Sequence, residues 1–478
     1  MRKKTKIIYL SLMALYLSVL IGGCGQKEKV EIVEEPAEIA EVEEVEERAI
    51  PQHDEKLYVA VPIESMSMRT APGFDAEIIT QVYPQTLLKA AGEAVTVNGL
   101  EFYYVSTLDE SYEGYCAANY CIEISYESND LLLTVVDTET ALYTYDDMER
   151  DLKELAEKYP NYVSVDTIGE SVEGRALYQA ILGNKEAKRK ILIQAGIHGR
   201  EYVSSQLVMK MLEYYLVNYE TGYYGNQFYT ELFDEVCFHI IPMSNPDGIS
   251  ISQMGEAAVS SEMTINMMRN AYERDKETMI HAMDTNGDLY WYDTYTNPFY
   301  DRYAEGYDEI ITYEEYLSQW KANANGVDIN RNFNAGWEDI WQKEGPGYDS
   351  FKGYFPDSEP ETKALEALVE GINFESVINY HARGQLIYYD AEGNAQEVSG
   401  RSEKLAESAS ELLRYLPANC KDAANVVLGG FGDWAMLKKG VTSITIEVGK
   451  RPCPVENKEF MSIWNRNREL WAKIALEY

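Results

Sequence analysis

The sequence predicts an α/β protein, a mixed β-sheet flanked by helices, with a small β-barrel in front of it. Two observations carry this. Strand-like apolar runs ("YVSVDTIG", "ALYQAILG", "KILIQAG", "EVCFHIIPMS", "SVINYHA", "SITIEVG") recur through residues 140–478, with helical stretches between several of them. Ahead of them, residues 56–126 change to short alternating runs broken by turns at "APG", "VNG" and "DESYEG".

At the front, Arg2, Lys3, Lys4 and Lys6 precede an apolar run from Ile7 to Gly23 that ends "LIGGCGQ". A basic start, a short apolar stretch and small residues form the layout of a secretory signal. The run falls short of the ~20 residues a membrane span needs. Residues 1–23 resemble a bacterial lipoprotein signal. That resemblance implies a lipidated Cys24 and a mature chain outside the cytoplasm, anchored to the cell membrane by acyl chains. Residues 24–55 contain "EKVEIVEEPAEIAEVEEVEE", Glu-rich and without aromatics, which predicts an extended, self-repelling tether. The formal charge of -38, with 80 acidic against 42 basic residues, argues against nucleic acid as a partner, because no net positive charge is present to displace phosphate counterions.

The runs "LYVAV", "EIITQVY", "TLLKAAG", "EFYYVS" and "GYCAANYCIEI" predict five or six small strands. "MRTAPGFDAEIITQVYPQT" and "FYYVSTLDESYEGYCAANYC" resemble the bacterial SH3-type domain, whose members recognise cell-wall peptides or act as spacers. Tyr103 and Tyr115 stand where tryptophans are common in that family. Cys116 and Cys121 could bridge in an oxidising compartment.

In the larger unit, "TYDDMERDLKELAEKYP" sets Met148, Leu152, Leu155, Ala156 and Tyr159 on one helix face, with Thr144 and Asp147 as the capping signal. Further helices are expected at Tyr202–Val217 and Lys363–Gly371. Within "ILIQAGIHGREYVSS" a buried strand runs out at Gly196, and His198 and Glu201 follow three apart. Such a pair is weak on its own, since a glutamate also favours the start of a helix. Catalytic zinc is held by two imidazoles and a carboxylate with one position open, so a second histidine is needed. The chain has only five. His53 lies in the tether, His239 alternates within an apolar strand, and His281 sits in a polar insertion. His381 ends the strand "SVINYHARGQ", where open α/β sheets collect ligands, and is the partner by elimination.

"GESVEGRALYQAILG", "IHGREYVSSQ", "IPMSNPDG", "WKANANGVDINRNF", "INYHARGQLIYY", "GGFGDWA" and "SITIEVGK" resemble, in order, the carboxypeptidase A-like zinc carboxypeptidases. The resemblance implies that family's fold and one Zn2+ per chain on His198, Glu201 and His381. It implies Asp328 as the carboxylate orienting a zinc histidine, and Asn330 and Arg331 as the clamp on a substrate carboxylate. Arg200 resembles an accessory substrate-binding arginine. Glu447 would be the general base; Thr445 and Glu447 alternate against Ile444, Ile446 and Val448, which sets it on a polar face. Two positions depart from the family. Lys321 replaces its oxyanion-stabilising arginine, keeping charge without the guanidinium fork. Its mobile tyrosine falls near Asn425, with no tyrosine nearby. Gly432 occupies the position that selects the side chain.

"WKAN" and "HARG" are similar to the bacterial branch that cleaves γ-D-glutamyl-diamino acid bonds. Peptidoglycan stem peptides are therefore the expected substrate, and general trimming of C-terminal residues is the alternative. A catalytically dead wall-binding lipoprotein would require loss of a ligand or the base, and all four residues are present. The insertion 249–319, acidic and tyrosine-rich, is expected to form a lid or rim. Its "DTNGD" is not an EF-hand, because Leu289 stands where that loop needs glycine and Tyr295 where it needs glutamate.

Overall fold

A computed structural model describes residues 50, 56–124, 130–283, 289–293, 310–422, 428–450 and 452–477. Cys24, the signal, all of the tether but Ile50, "DTNGD" and Asn425 lie outside the described residues. Residues 50–478 form one compact unit.

Its first part is an antiparallel sheet of eight short strands between Leu57 and Ile124. The neighbour order is Ile78–Val82, Met66–Arg69, Glu113–Ala117, Leu100–Thr107, Leu87–Ala90, Leu57–Ala60 and Cys121–Ile124, with Val95–Val97 also paired to Leu100–Thr107. Five or six strands were expected. The two outside the predicted runs, Met66–Arg69 and Val95–Val97, are four and three residues long. Tyr58, Met68, Leu88, Val105, Cys116 and Cys121 fill the core. Both cysteines carry free, buried thiols.

The larger sheet also has eight strands, with four parallel ones at its centre: Thr442–Val448, Ser376–Ala382, Arg189–Ala195 and Val236–Ile241. Antiparallel strands flank them on both sides. The central strands are largely buried on both faces because both are covered. Ile191, Ile193, Ile378, Ile444 and Ile446 pack against Val203–Val217 and the C-terminal helices. Leu192, Ile241 and Val377 pack on the other side against Pro360–Gly371 and Phe431–Lys439. The helix Tyr145–Lys158 begins with the expected capping box of Thr144 and Asp147 and buries Met148, Leu152 and Leu155.

The insertion is less loop-like than expected. Ile249 and Ile251 are fully buried in the helix Pro246–Met254, and Met268, Ala271, Tyr316 and Leu317 build a core around Trp320.

The two sheets are tied together through the helix Phe460–Asn467. Ser462 donates to the Val61 carbonyl at 2.6 Å, and the buried Arg466 guanidinium donates to Leu413 and Asn119 carbonyls at 2.9 and 2.6 Å. Losing the Arg466 side chain would leave the Leu413 and Asn119 carbonyls without these bonds, so the contact is costly to break.

Candidate active site

Parallel strands end on the same edge of the sheet, and the loops leaving that edge converge. The Arg189–Ala195 strand runs into Gly196, whose φ of +65 and lack of a side chain are both required. A Cβ there would meet Ser205 Oγ at 2.4 Å. At Gly199 a Cβ would meet the Gly248 carbonyl at 2.3 Å and the Trp320 carbonyl at 2.5 Å, so three loops touch only because this residue is glycine. Asn245 fastens them. Its amide nitrogen donates to the carbonyls of Ile197, Lys321 and Ala322, and its oxygen accepts from Gly248 N–H.

That packing turns His198 and Glu201 toward His381 on the neighbouring strand. Glu201 Oε1 lies 2.9 Å from His198 Nδ1, and Oε2 lies 3.0 Å from His381 Nδ1. The Ala382 N–H donates to Oε2 at 3.1 Å. All three side chains are buried, and their ligating atoms fall within 4.8 Å of one another. Burial alone would raise the Glu201 carboxyl; the two imidazoles hold it well below the usual range. Two Nδ1 atoms converging on a buried carboxylate form a donor set that suits zinc.

The outward nitrogen of His198 supports that fit. Nε2 stands 3.3 Å from Asp328 Oδ1, and neither atom has an aligned hydrogen-bond partner. A carboxylate on that side leaves Nδ1 free as the ligand. Burial would raise Asp328, but His198, Arg331 and Lys321 hold it far below the carboxylate range.

Glu447 pairs in register with His381 across the parallel strands and is half-buried in the cleft, as the alternation predicts. Burial, reinforced by Glu201, pushes its carboxyl up to about 7, while His381, Lys321 and Arg383 oppose the rise. Lys321 therefore presents its charge to both Glu447 and Asp328. Arg200 is half-buried and donates from Nη1 to Gln319 Oε1 at 3.2 Å. Arg331 donates to the Asn330 carbonyl at 2.7 Å, and Asn330 Oδ1 accepts from Phe431 N–H at 3.0 Å, which ties this pair to the helix bearing Gly432. Asn330, His381 and Gly432 share a small cavity with Asn379, Tyr388, Asp390, Asp433, Ser443 and Thr445.

The structure thus brings His198, Glu201, His381 and Asp328 together, sets Glu447 beside His381, and places Asn330 and Gly432 on one small cavity with His381. Sequence reasoning passed over Asn245, Asn379 and Tyr388. For Asn379 a signal existed: it stands two residues before His381 on a strand and so shares its face.

Residues 148–470 match the zinc carboxypeptidase family. The uncharacterized protein YqgT of Bacillus subtilis strain 168 is 26% identical over 67% of this chain and 74% of its own. Gamma-D-glutamyl-L-diamino acid endopeptidase 1 of Lysinibacillus sphaericus is 26% identical over 67% of this chain and 69% of its own. The crystal structure of thrombin activatable fibrinolysis inhibitor shares the fold, with a TM-score of 0.51 at 17% identity over 80% of this chain and 88% of that one. The chain belongs to the zinc carboxypeptidase family, whose members use one zinc, and is a peptide hydrolase.

Proposed function

We propose that this peptidase works at the cell surface and cuts peptidoglycan stem peptides between γ-D-glutamate and the diamino acid. The observation that carries the reading is the likeness to a relative named for that bond, which spans about two thirds of both chains. Gly432 supports it, because no side chain at that position blocks a polar leaving residue or pairs with it.

Zinc on His198, Glu201 and His381 would polarise the scissile carbonyl and lower the pKa of water toward ~7. Glu447, its carboxyl near 7, takes the proton from the attacking water and passes it to the leaving amine. Lys321 places positive charge toward the oxyanion as it develops. Arg331 and Asn330 hold a substrate carboxylate with Arg200 as an accessory contact, and Asp328 keeps His198 in its ligating tautomer.

Incubation of the zinc-loaded enzyme with purified stem tri- and tetrapeptides should release the diamino acid-containing product, read by mass spectrometry. Efficient trimming of peptides ending in Phe, Leu, Lys or Glu with stem peptides left intact would overturn the wall-peptide reading. Anchoring rests on the "LIGGCGQ" layout, and the short-stranded sheet between Leu57 and Ile124 is read as an SH3-type barrel that recognises wall peptides or acts as a spacer. Cys24→Ala should release the protein from the membrane fraction or block its maturation. A variant that stays with membranes at unchanged mass would refute the lipid anchor.

A further inference from the structure

The joint between the two sheets holds a buried charge that the chain does not neutralise. Arg466 is 3% exposed, and both of its terminal nitrogens donate to carbonyls, those of Leu413 and Asn119. Among the described residues no carboxylate forms an ion pair with it. Burial lowers the guanidinium from its ordinary value, and the charge of Arg414 works in the same direction. Charges this deep are ordinarily paired.

Arg466 lines a cavity of about 350 Å³ between the sheets, and the charges around it have the same sign. Arg69, Arg414 and Lys450 share the wall with a single acid, Glu64, which is already engaged. In a chain with 80 acidic and 42 basic residues this is a local reversal of charge, and such a surface draws anions to it. Arg414 and Lys450 are exposed, so an incoming group meets them first. Phe74, 60% exposed, stands against Phe102 with ring centres 5.5 Å apart and offers an apolar face beside the charges.

Its place in the chain ties the cavity to catalysis. Gln385 lines it four residues after His381, and Lys450 lines it three residues after Glu447. The two strand ends meet there, where the Gly384 N–H donates to the Gly449 carbonyl at 3.0 Å. Three residues span at most ~11 Å, which puts the cavity about two to four substrate residues from the reacting carbonyl. It shares no lining residue with the small cavity at Asn330 and Gly432. A substrate clamped at Arg331 therefore reaches it with its acyl side.

We infer that the joint between the two sheets is an anion-binding subsite that takes a carboxylate on the acyl side of a peptide substrate. Arg414 and Lys450 make the charge-assisted contacts, and Arg466 adds its unpaired charge from within. This rests on the zinc-peptidase reading above, whichever bond is cut, and adds the part of the substrate read upstream of it.

The test uses the zinc-loaded full chain and peptide pairs that differ at one position. Glutamate or glutamine stands two, three or four residues upstream of the scissile bond, in one series joined through γ-D-glutamate and in another through an ordinary α-linked residue. At the favoured position the wild type should prefer glutamate by about 10-fold in kcat/KM, carried by KM, within whichever linkage it cleaves. Arg414→Gln combined with Lys450→Gln should largely erase that difference, with kcat, zinc content and cleavage of the glutamine peptides unchanged. Absence of a glutamate preference at all three positions in the wild type, a reading that needs no variant to fold, would overturn the inference. So would a preference that survives the double substitution at full size. Cleavage confined to the α-linked series with the glutamate preference intact would sink the stem-peptide reading and leave the subsite in its role.

Discussion

Two clusters of buried carboxylates lie on either side of the segment Trp320–Arg331, and only one of them is built for a metal. On the cleft side, Lys321 and Asp328 border His198, Glu201 and His381. On the other side, Asn323 and Asn325 point at Glu359 and Glu361. Asn323 Nδ2 donates to Glu359 at 2.7 Å and Glu361 at 3.1 Å, and Asn325 Nδ2 donates to Glu359 at 2.8 Å. Ser358 and the Val172 N–H complete the shell. Acid density does not separate the two. The kind of partner does: imidazole nitrogens offer lone pairs to a cation, whereas amides and hydroxyls offer protons to the acids and close the site. One loop thus serves chemistry with one face and folding with the other.

The sharpest way to break this contrast is to remove an imidazole. His198→Ala or His381→Ala should abolish both zinc binding and peptidase activity, measured by metal analysis and turnover on one sample. Full metal occupancy in either variant would mean that the cleft cluster is no more a metal site than its neighbour.

A smaller effect separates holding the metal from using it. Glu447→Gln should keep about one zinc per chain yet lose turnover by ~100-fold or more, the scale of general-base removal. Wild-type-like turnover would assign the proton transfer to another group.

What could be read from the sequence follows the same division. His198 and Glu201 stood out because histidine is rare in this chain and the pair follows a strand end. Glu447 stood out through its resemblance to a family segment, and the alternation of its strand set it on the polar face. Asn323 and Asn325 were legible only as part of a family segment, since a buried asparagine beside glutamates some 35 residues away leaves no periodic trace. Asn245 is harder still, because the three carbonyls it gathers come from separate loops. The strand order of the larger sheet shows the general limit. Apolar runs announce strands, but the pairing of Arg189–Ala195 with Ser376–Ala382 spans most of the catalytic unit and is set by packing alone.

The smallest effect lies in the structural cluster and concerns pH. Glu361 is fully buried, and burial, with help from Asp247 and Glu359, pushes its carboxyl up to about 8. An unfolded glutamate titrates near ~4.3. A carboxyl whose folded value is raised favours its protonated form in the fold. Its contribution to stability is full below ~4.3 and is lost as pH rises through about 8. Glutamine has nearly the same shape, keeps an oxygen for Asn323, gives up only the 3.3 Å bond from Val172 N–H and cannot ionise. Glu361→Gln should therefore match the wild type near pH 5 and exceed it at pH 9 by about 1 kcal/mol or more, a rise of a few degrees in Tm for a chain of this size. Zinc-loaded samples of both proteins, melted at pH 5, 7 and 9, give the difference directly, and zinc loss at low pH cancels because both share it. A variant less stable than the wild type at pH 9 would show that Glu361 is an ionised partner of Asn323, and the two clusters would then differ less than their partners imply.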